Sequence, residues 1–533
     1  SGVRQMTYSE ETYKPSGGMS VGSFGQSEPQ RLSLFINGRR FIGFGGNWGF
    51  GESNLNYRER EYDIAVAYHA DMNFTMIRNW VGQIGDKEFY EACDRHGIMV
   101  WQDFWLANPV DGPNPYYTEM FNANACDYLK RIRNHPSIGI YVGRNEGNPP
   151  AGIDDYLRGL VFREHPGLYY ISNSAMGVVS GGGPYRALSP KSYFQSYGHD
   201  KFHSERGMPN VMNYESMLLT FGTDKIEPVN TSETPNPVYG LHDYTLGGGK
   251  GSSAQAASSF NDMIEKAFGR PRDAKQFAEW AQWINYDGYR AIFEGRSEHR
   301  RGMLLWMSHS AWPSMVWQTY DYYFDPNAAY FGCKKASEPL HIQWNPLRDD
   351  IEVVNYHAFD RTGLTATASL FNQDGTLQWT RETKLDIKED QTVACFPLEQ
   401  PETLSDTYFI KLSLTDSDGK QLSDNFYWRG KEDGNYKSLL QLPKVSVCKN
   451  VTVKKTGKEW LIRAVLKNEA RTPALMLRLK VAGEKSGRML LPVFYSDNYF
   501  SLLPGEVKEV DIRLYDADTY GEKPVLEVLG FNL

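Results

Sequence analysis

Residues 137–146, SIGIYVGRNE, and residues 201–207, KFHSERG, decide the reading of this chain. Each is a short apolar run that breaks off in polar and charged side chains. The first ends in Arg144, Asn145 and Glu146, the second in Ser204 and Glu205. Runs of this length, too short for helices and followed by turn residues, read as buried strands. Working outward, similar runs stand at 39–48 (RRFIGFGGNW), 73–80 (NFTMIRNW), 97–105 (GIMVWQDFW), 168–175 (LYYISNSA), 192–198 (SYFQSYG) and 301–310 (RGMLLWMSHS). Between most of them lie amphipathic stretches with helical spacing. Examples are 58–72, 86–97, stopped by Gly97, and 123–136, stopped before Pro136. Eight strands alternating with helices over about 300 residues predict a (β/α)8 TIM barrel. The stretch 206–300 is long for one crossover. Its Gly- and Ser-rich run 247–259 reads as a mobile loop near one rim.

After residue 344 the period changes to two. Residues 351–359, 364–372, 392–398 and 407–416 alternate apolar and polar side chains and are joined by turns such as QDG and DSDG. The same style resumes at 444–456, 459–468, 474–483 and 506–515. Two immunoglobulin-like β-sandwiches fit, with a boundary in GKEDGNYKS. The expected division is 1–30 as a strand remnant (VRQMTY) and linker, 31–344 as the barrel, and 345–433 and 434–533 as the sandwiches.

Composition narrows the function. The 533 residues carry 57 basic and 65 acidic side chains, for a net charge of −8. That balance argues against a nucleic-acid partner. Aromatic residues make up 14% of the chain, with 13 Trp and 33 Tyr, and flat apolar rings suit sugars as well as cores. The five Cys stand apart and form no CxxC pair, so neither a disulfide scaffold nor a structural zinc site is expected. No apolar run reaches membrane-spanning length. The opening residues SGVRQMTYSEETYKPSGG have no apolar leader core and read as a piece of a longer chain whose signal peptide would be lost.

Catalytic groups in such barrels sit at the C-terminal ends of strands. Glu146 ends the fourth run and Glu205 the seventh, on opposite sides of the mouth. Two facing carboxylates are what glycoside hydrolysis needs: one protonated to assist the leaving oxygen, one ionised to attack the anomeric carbon. No metal is called for, and no cofactor, because two carboxylates and water suffice. Arg78 and Asp103 end the second and third strands. They read both as a buried ion pair bracing the mouth and as positioning groups, Arg78 holding a carboxylate charged and Asp103 accepting from sugar hydroxyls. Trp80 and Trp306 are expected to form a wall for a stacked sugar, with Trp105 a weaker candidate; Trp312 and Trp317 would line an outer subsite. Tyr197 is expected to hydrogen-bond Glu205 or pack beside it. Glu215 reads as a structural charge. His96, His135 and His165 read as helix-end residues and His203 as a packing residue. The runs GGGPY (181–185) and GGGKG read as rim loops, not phosphate cradles.

VGRNEGNPP (142–150) resembles the Asn-Glu acid/base signature of glycoside hydrolase family 2, and KFHSERGMPN (201–210) resembles its nucleophile strand. MIRNWVG and DKEFYEACDRHGIMVWQDF resemble the family's second and third barrel strands, the stretch 320–344 resembles the barrel exit of its exo-β-glucosaminidase, mannosylglycoprotein endo-β-mannosidase and β-mannosidase branch, and the stretch 488–506 resembles the last β-sandwich of that branch. The resemblance implies Glu146 as general acid/base, Glu205 as nucleophile, and Asn145 as a partner of the sugar 2-hydroxyl. It implies a retaining hydrolase of β-mannosides or β-glucosaminides in oligosaccharides or glycans. Two alternatives stand beside it: another family β-glycosidase, such as a β-galactosidase or β-glucuronidase, and a non-catalytic glycan-binding fragment. The family's N-terminal jelly-roll domain has no counterpart in the chain, so the missing N-terminal domains are an expected partner. A secreted or periplasmic location is expected by analogy.

Overall fold

The computed structural model describes residues 4–12, 30–195, 201–231, 234, 236–242, 255–298, 300–315 and 317–533. Tyr197 and the Gly-rich run 247–254 lie outside the described residues. The chain forms two compact units: residues 1–185, 192–208 and 295–312, and residues 186–191, 209–294 and 313–533.

The first unit holds eight parallel strands: β1 (Gly43–Trp48), β2 (Met76–Asn79), β3 (Met99–Asp103), β4 (Ile138–Arg144), β5 (Tyr169–Asn173), β6 (Val179–Ser180), β7 (Phe202–Arg206) and β8 (Gly302–Leu305). Their order in the sheet is β5-β4-β3-β2-β1-β8-β7-β6. Because β1 pairs with β8, this is the order of an eight-stranded barrel. Helices α1 (Glu59–Asp71), α2 (Lys87–His96), α3 (Thr118–Ile132) and α4 (Ala151–Glu164) follow the first four strands. Gly97 ends α2 in the left-handed conformation at φ 71°, as its position predicts.

Side chains from seven strands meet in one interior cluster: Met76, Met99, Trp101, Ile140, Val142, Ile171, Val179, Phe202 and Leu304. Glycines shape this interior. A Cβ at Gly43 or Gly302 would meet the Phe202 ring at 2.5 or 2.3 Å, so one ring fills the space both glycines leave. A Cβ at Gly45 would lie 1.6 Å from the Met76 carbonyl oxygen. The Gly-rich first run is therefore a requirement of close strand approach.

A strand at Met6–Thr12 pairs antiparallel with Gln30–Ile36, which pairs with Arg39–Phe41. Met6, Leu32, Leu34 and Phe41 join the interior cluster and close one end of the barrel. The Tyr8 hydroxyl donates to the Gly139 carbonyl at 2.6 Å. The segment read as a strand remnant is thus integral to the barrel floor.

One strand differs from expectation. The run 192–198 is not the sixth strand. Residues Pro190–Gln195 form a helix, and the sixth position is held by the two-residue strand β6, paired with β7 at Val179↔Phe202. Two residues carry no readable periodicity, so a nearby aromatic run attracted the assignment.

The second unit contains helices Tyr214–Phe221, Gln255–Phe268, Ala274–Glu294 and Ala328–Ala336, and two antiparallel sandwiches. In the first sandwich, strands 340–345, 350–355 and 391–397 face strands 377–387, 361–372, 407–415 and 421–430. Ile342, Ile351, Val353, Leu370, Ile410 and Leu412 fill the core between them. Leu340–Asn345, read above as barrel exit, is this sandwich's first strand, paired with Asp350–Asn355. The second sandwich sets strands 447–456, 459–468, 507–515 and 493–495 against 500–502, 474–483 and 524–529. Glu215 lies in this unit as a structural charge. Arg478 at 2.8 Å and Lys480 at 3.2 Å hold it ionised; although burial opposes them, its carboxyl is lowered to about 2.

Leu304 is fully buried in the barrel interior. Leu304→Ala is expected to lower unfolding stability by about 2–5 kcal/mol, and Leu304→Met by about 1.5 kcal/mol or less. Denaturant titration of the two variants measures both; equal losses would contradict a close-packed interior.

Candidate active site

The site is built at the C-terminal ends of the barrel strands around one buried cation. Arg78, on β2, has no exposed surface. Its Nε and NH2 donate to Asp103 at 3.1 and 2.7 Å, its NH1 to Glu205 Oε1 at 2.6 Å, and its NH2 also to Asn145 Oδ1 at 2.8 Å. A planar guanidinium has five donors in fixed directions, so these contacts tie together the ends of β2, β3, β4 and β7. Burial works against the arginine's charge, and Asp103 and Glu205 restore it and raise its pKa.

Asp103 is a brace. Its Oδ1 accepts from Trp101 Nε1 at 2.9 Å, and its Oδ2 accepts from the Val81 amide at 3.0 Å as well as from Arg78. It is wholly buried. The expectation that Asp103 takes sugar hydroxyls is corrected: no atom of it is open to a ligand.

Glu205 and Glu146 are brought together by a residue the sequence reading did not single out. The Tyr185 hydroxyl lies 2.6 Å from Glu205 Oε2 and 3.3 Å from Glu146 Oε1. One phenol oxygen within reach of both keeps the nearest carboxylate oxygens below the separation that inverting glycosidases need for an intervening water. Burial first, then the two carboxylates, raise the Tyr185 pKa far above its ordinary value, so the phenol stays protonated and donates. Burial raises the Glu205 carboxyl to about 7. The Arg78 charge opposes this, the neighbouring Glu146 adds to it, and the Tyr185 and Arg78 hydrogen bonds oppose it.

Glu146 lies two residues past β4 in a left-handed conformation, φ 45°. Its amide donates to the Ser174 hydroxyl at 3.0 Å, just past β5. Asn108 Nδ2 lies 3.4 Å from Glu146 Oε2. Arg144 holds the loop carrying Asn108 through the Ala107 carbonyl and Asn114 Oδ1, each at 2.7 Å. Asn47 on β1 donates to the Ser204 and Leu305 carbonyls at 2.9 Å, locking β7 and β8 where Glu205 emerges.

Aromatic rings border the carboxylates. Trp80 and Trp306 meet edge to face, centroids 4.9 Å apart, and Tyr185 lies 6.2 Å from Trp306. The Trp306–Met307 peptide is cis. Trp105 turns away: its Nε1 donates to the Gly82 carbonyl, and its ring packs on Phe121 and Tyr128 of α3. Trp317, expected at an outer subsite, is buried.

The histidines serve the scaffold. His203 bonds Ser180 Oγ and the Gly183 carbonyl, and burial lowers its pKa to about 3. His96 meets Asp63, His135 meets Asp94, and His165 meets the Tyr141 hydroxyl. Among the described residues no His, Cys, Asp and Glu group has the geometry of a metal site.

Tyr185, Ser174 and Asn108 therefore belong to the site and were not read from the sequence. The first sits in GGGPY, a run read as a rim loop. Its signal was a Gly-rich turn closing on an aromatic after a strand too short to recognise. Tyr197, expected near Glu205, lies outside the described residues.

A barrel whose fourth and seventh strands present paired glutamates beside tryptophans has the architecture of a glycoside hydrolase, and comparison with known proteins agrees. Residues 425–533 match the family described as the exo-β-D-glucosaminidase immunoglobulin-fold domain. The chain is 27% identical to the mannosylglycoprotein endo-β-mannosidase of Lilium longiflorum over 93% of its own length and 63% of that protein. It is 28% identical to the exo-β-D-glucosaminidase of Streptomyces avermitilis over 93% of its length and 60% of that protein. The exo-chitosanase CsxA of Amycolatopsis orientalis has the same fold, with a TM-score of 0.85 over the whole chain and 66% of that structure at 24% identity. The resemblance to the exo-β-glucosaminidase and β-mannosidase branch of glycoside hydrolase family 2 thus extends over nearly the whole chain. The chain spans less than two thirds of these relatives' length.

Breaking a buried ion pair by removing one partner costs about 3–5 kcal/mol. Arg78→Met is expected to lose that much, because Glu205 and Asp103 keep their burial and lose their cation. Without Arg78 the Glu205 carboxyl rises further, and a carboxyl raised on folding destabilises the fold as pH climbs past its unfolded value. The loss is therefore expected to be largest above pH about 7 and to shrink on acidification. Unfolding midpoints across pH measure it; a loss that grew at low pH would contradict the assignment.

Proposed function

We propose that this chain carries the catalytic machinery of a retaining β-glycosidase acting on β-mannosides or β-glucosaminides of oligosaccharides or glycans. The observation that carries the reading is the single Tyr185 hydroxyl within hydrogen-bonding distance of both Glu146 and Glu205. Glu205 Oε attacks the anomeric carbon while Glu146 protonates the departing glycosidic oxygen. A covalent glycosyl-enzyme forms, and Glu146 then takes a proton from the water that releases the sugar. Arg78 and Tyr185 supply two short hydrogen bonds to Glu205 that favour its ionised form and aim it. Trp80 and Trp306 provide the apolar wall against which the ring lies. Two curated relatives support the sugar class: one is named a β-mannosidase type and one a β-glucosaminidase. Among the described residues no helix is long and apolar enough to cross a membrane. By analogy with enzymes that meet polymeric glycans, the enzyme acts outside the cytoplasm.

Nitrophenyl β-mannoside, β-glucosaminide, β-galactoside and β-glucuronide are the test substrates. Glu205→Gln is expected to lower turnover of the accepted sugar by at least about 10⁴-fold, and trapping by a fluorinated slow substrate is expected to label Glu205. Unchanged turnover in this variant would sink the reading. Binding of a glycan by the wild type without any turnover would favour the non-catalytic alternative.

The acidic limb of kcat/KM is expected near pH 7, with activity falling as pH drops and Glu205 protonates. Glu146→Gln removes a neighbouring negative charge, so the limb is expected to move to lower pH. The shift is read on activated nitrophenyl sugars, whose departure needs little acid assistance. A limb that stayed in place would separate the two glutamates.

A further inference from the structure

We infer that the second unit carries a further binding pocket, formed where its two sandwiches meet its helices, that takes one neutral pyranose residue of a saccharide. None of its lining residues belongs to the first unit, which holds the paired glutamates. The function proposed above enters only as the source of the saccharide.

The cavity measures about 190 Å³. At about 30 Å³ per water it has room for about six waters, or for one pyranose ring with its hydroxyls. Helices Ala274–Glu294 and Ala328–Ala336 reach it, as do strands 407–415 and 421–430 of the first sandwich and strands 500–502 and 507–515 of the second. Exposed Gln421 and Val507 mark its opening. Three lysines and three carboxylates line it, and they pair with one another. Lys335 lies 2.6 Å from Asp424, Lys508 lies 2.6 Å from Asp497 and 3.6 Å from Asp424, and Lys411 meets Glu506. The lining is therefore neutral in sum. A free anion would meet three carboxylates there, and a free cation three ammoniums.

What the pairs leave over is hydrogen-bonding capacity of both kinds. An ammonium has three N–H donors and a carboxylate about four acceptor positions, so each ion pair keeps some of each. Two further groups of the lining are unspent. Trp428 is 2% exposed, and among the described residues its Nε1 has no acceptor. Tyr286 is 7% exposed, and among the described residues its hydroxyl makes no hydrogen bond. Burial, and after it the Asp497 carboxylate, raise the Tyr286 pKa against the charges of Arg290 and Lys335, so the phenol stays protonated. Buried donors left unmade are costly, and a ligand oxygen removes that cost. The half-buried rings of Phe426 and Phe500 add apolar surface to the same lining. A ligand that donates and accepts at several hydroxyls, carries no charge, and turns a C–H face to an aromatic ring meets all of these demands. A pyranose does so within the volume available.

The test follows the Trp428 indole N–H by NMR in the nitrogen-labelled whole chain, with Trp428→Phe identifying the resonance. Methyl β-mannoside and methyl β-glucoside are the saccharide probes, and glycerol and inorganic phosphate are the comparisons. At least one glycoside is expected to move the resonance saturably, with glycerol and phosphate leaving it in place. Tyr286→Phe keeps the ring and removes one hydroxyl, and is expected to raise the half-saturation concentration about three- to tenfold. Where a variant does not fold, a crystal of the wild-type chain soaked in methyl β-mannoside gives the same reading, with the sugar expected between Tyr286 and Lys508. A resonance that neither glycoside moves, or a soaked crystal with only water in the pocket, overturns the inference. So does an equal response to glycerol, which removes the pyranose, or a response to phosphate alone, which makes this an anion site. None of these readouts uses turnover. An indole shift with no labelling of Glu205 would overturn the paired-glutamate mechanism and leave this pocket standing.

Discussion

Arg78 is the group on which the site depends. It emerges from the second barrel strand with no surface exposed to solvent, and a lone cation there would be untenable. Asp103 compensates it from the third strand, Glu205 from the seventh, and the Asn145 amide oxygen from the fourth. The Arg78 guanidinium is a rigid fork, so it sets distances as well as charge. The proposed nucleophile, the residue preceding the proposed acid, and the carboxylate that neutralises the cation all take their places from one plane of nitrogens. The apolar interior below, with the Phe202 ring set against Gly43 and Gly302, keeps the strand ends at the spacing this fork requires.

The two glutamates differ because their surroundings differ. Glu205 is almost wholly buried, gripped by Arg78 and Tyr185, and raised to about 7 by burial and by the charge of Glu146. Glu146 is partly open, and its reach is set by a left-handed backbone pinned to Ser174. A phenol whose own ionisation is suppressed by burial stands between them, 2.6 Å from Glu205 and 3.3 Å from Glu146, with one proton to donate to either. Two like charges this close repel, and a hydroxyl donor and a cation are what allow one of them to remain ionised beside the other. The same contacts settle the orientation of the Asn145 amide.

Much of this was legible in order along the chain. Alternating apolar runs and amphipathic stretches predicted the barrel, and the change to period two predicted the sandwiches. Glu146 and Glu205 announced themselves as carboxylates ending apolar runs. The failures have physical causes. The sixth strand is two residues long and carries no pattern, so 192–198 was assigned in its place. That error drew attention to Tyr197, while Tyr185 lay hidden in a glycine run. Asp103 was read as open to sugar because a carboxylate ending a strand gives no sign of which way its lone pairs are spent.

The sequence by itself determined the fold class, the strand number of each glutamate, and the pairing of Trp80 with Trp306 at the barrel mouth. Periodicity and strand order are local properties of the chain, and they survive without coordinates. Tertiary structure alone decided that Tyr185 bridges the two carboxylates across 20 and 39 residues, that Asp103 is sealed, and that the Asn145 amide oxygen accepts from Arg78. Those facts depend on which side chains the closing of the barrel sets within hydrogen-bonding distance of each other, and hydrogen-bond direction at such a contact is fixed by the partner's chemistry, which no single position in the sequence records.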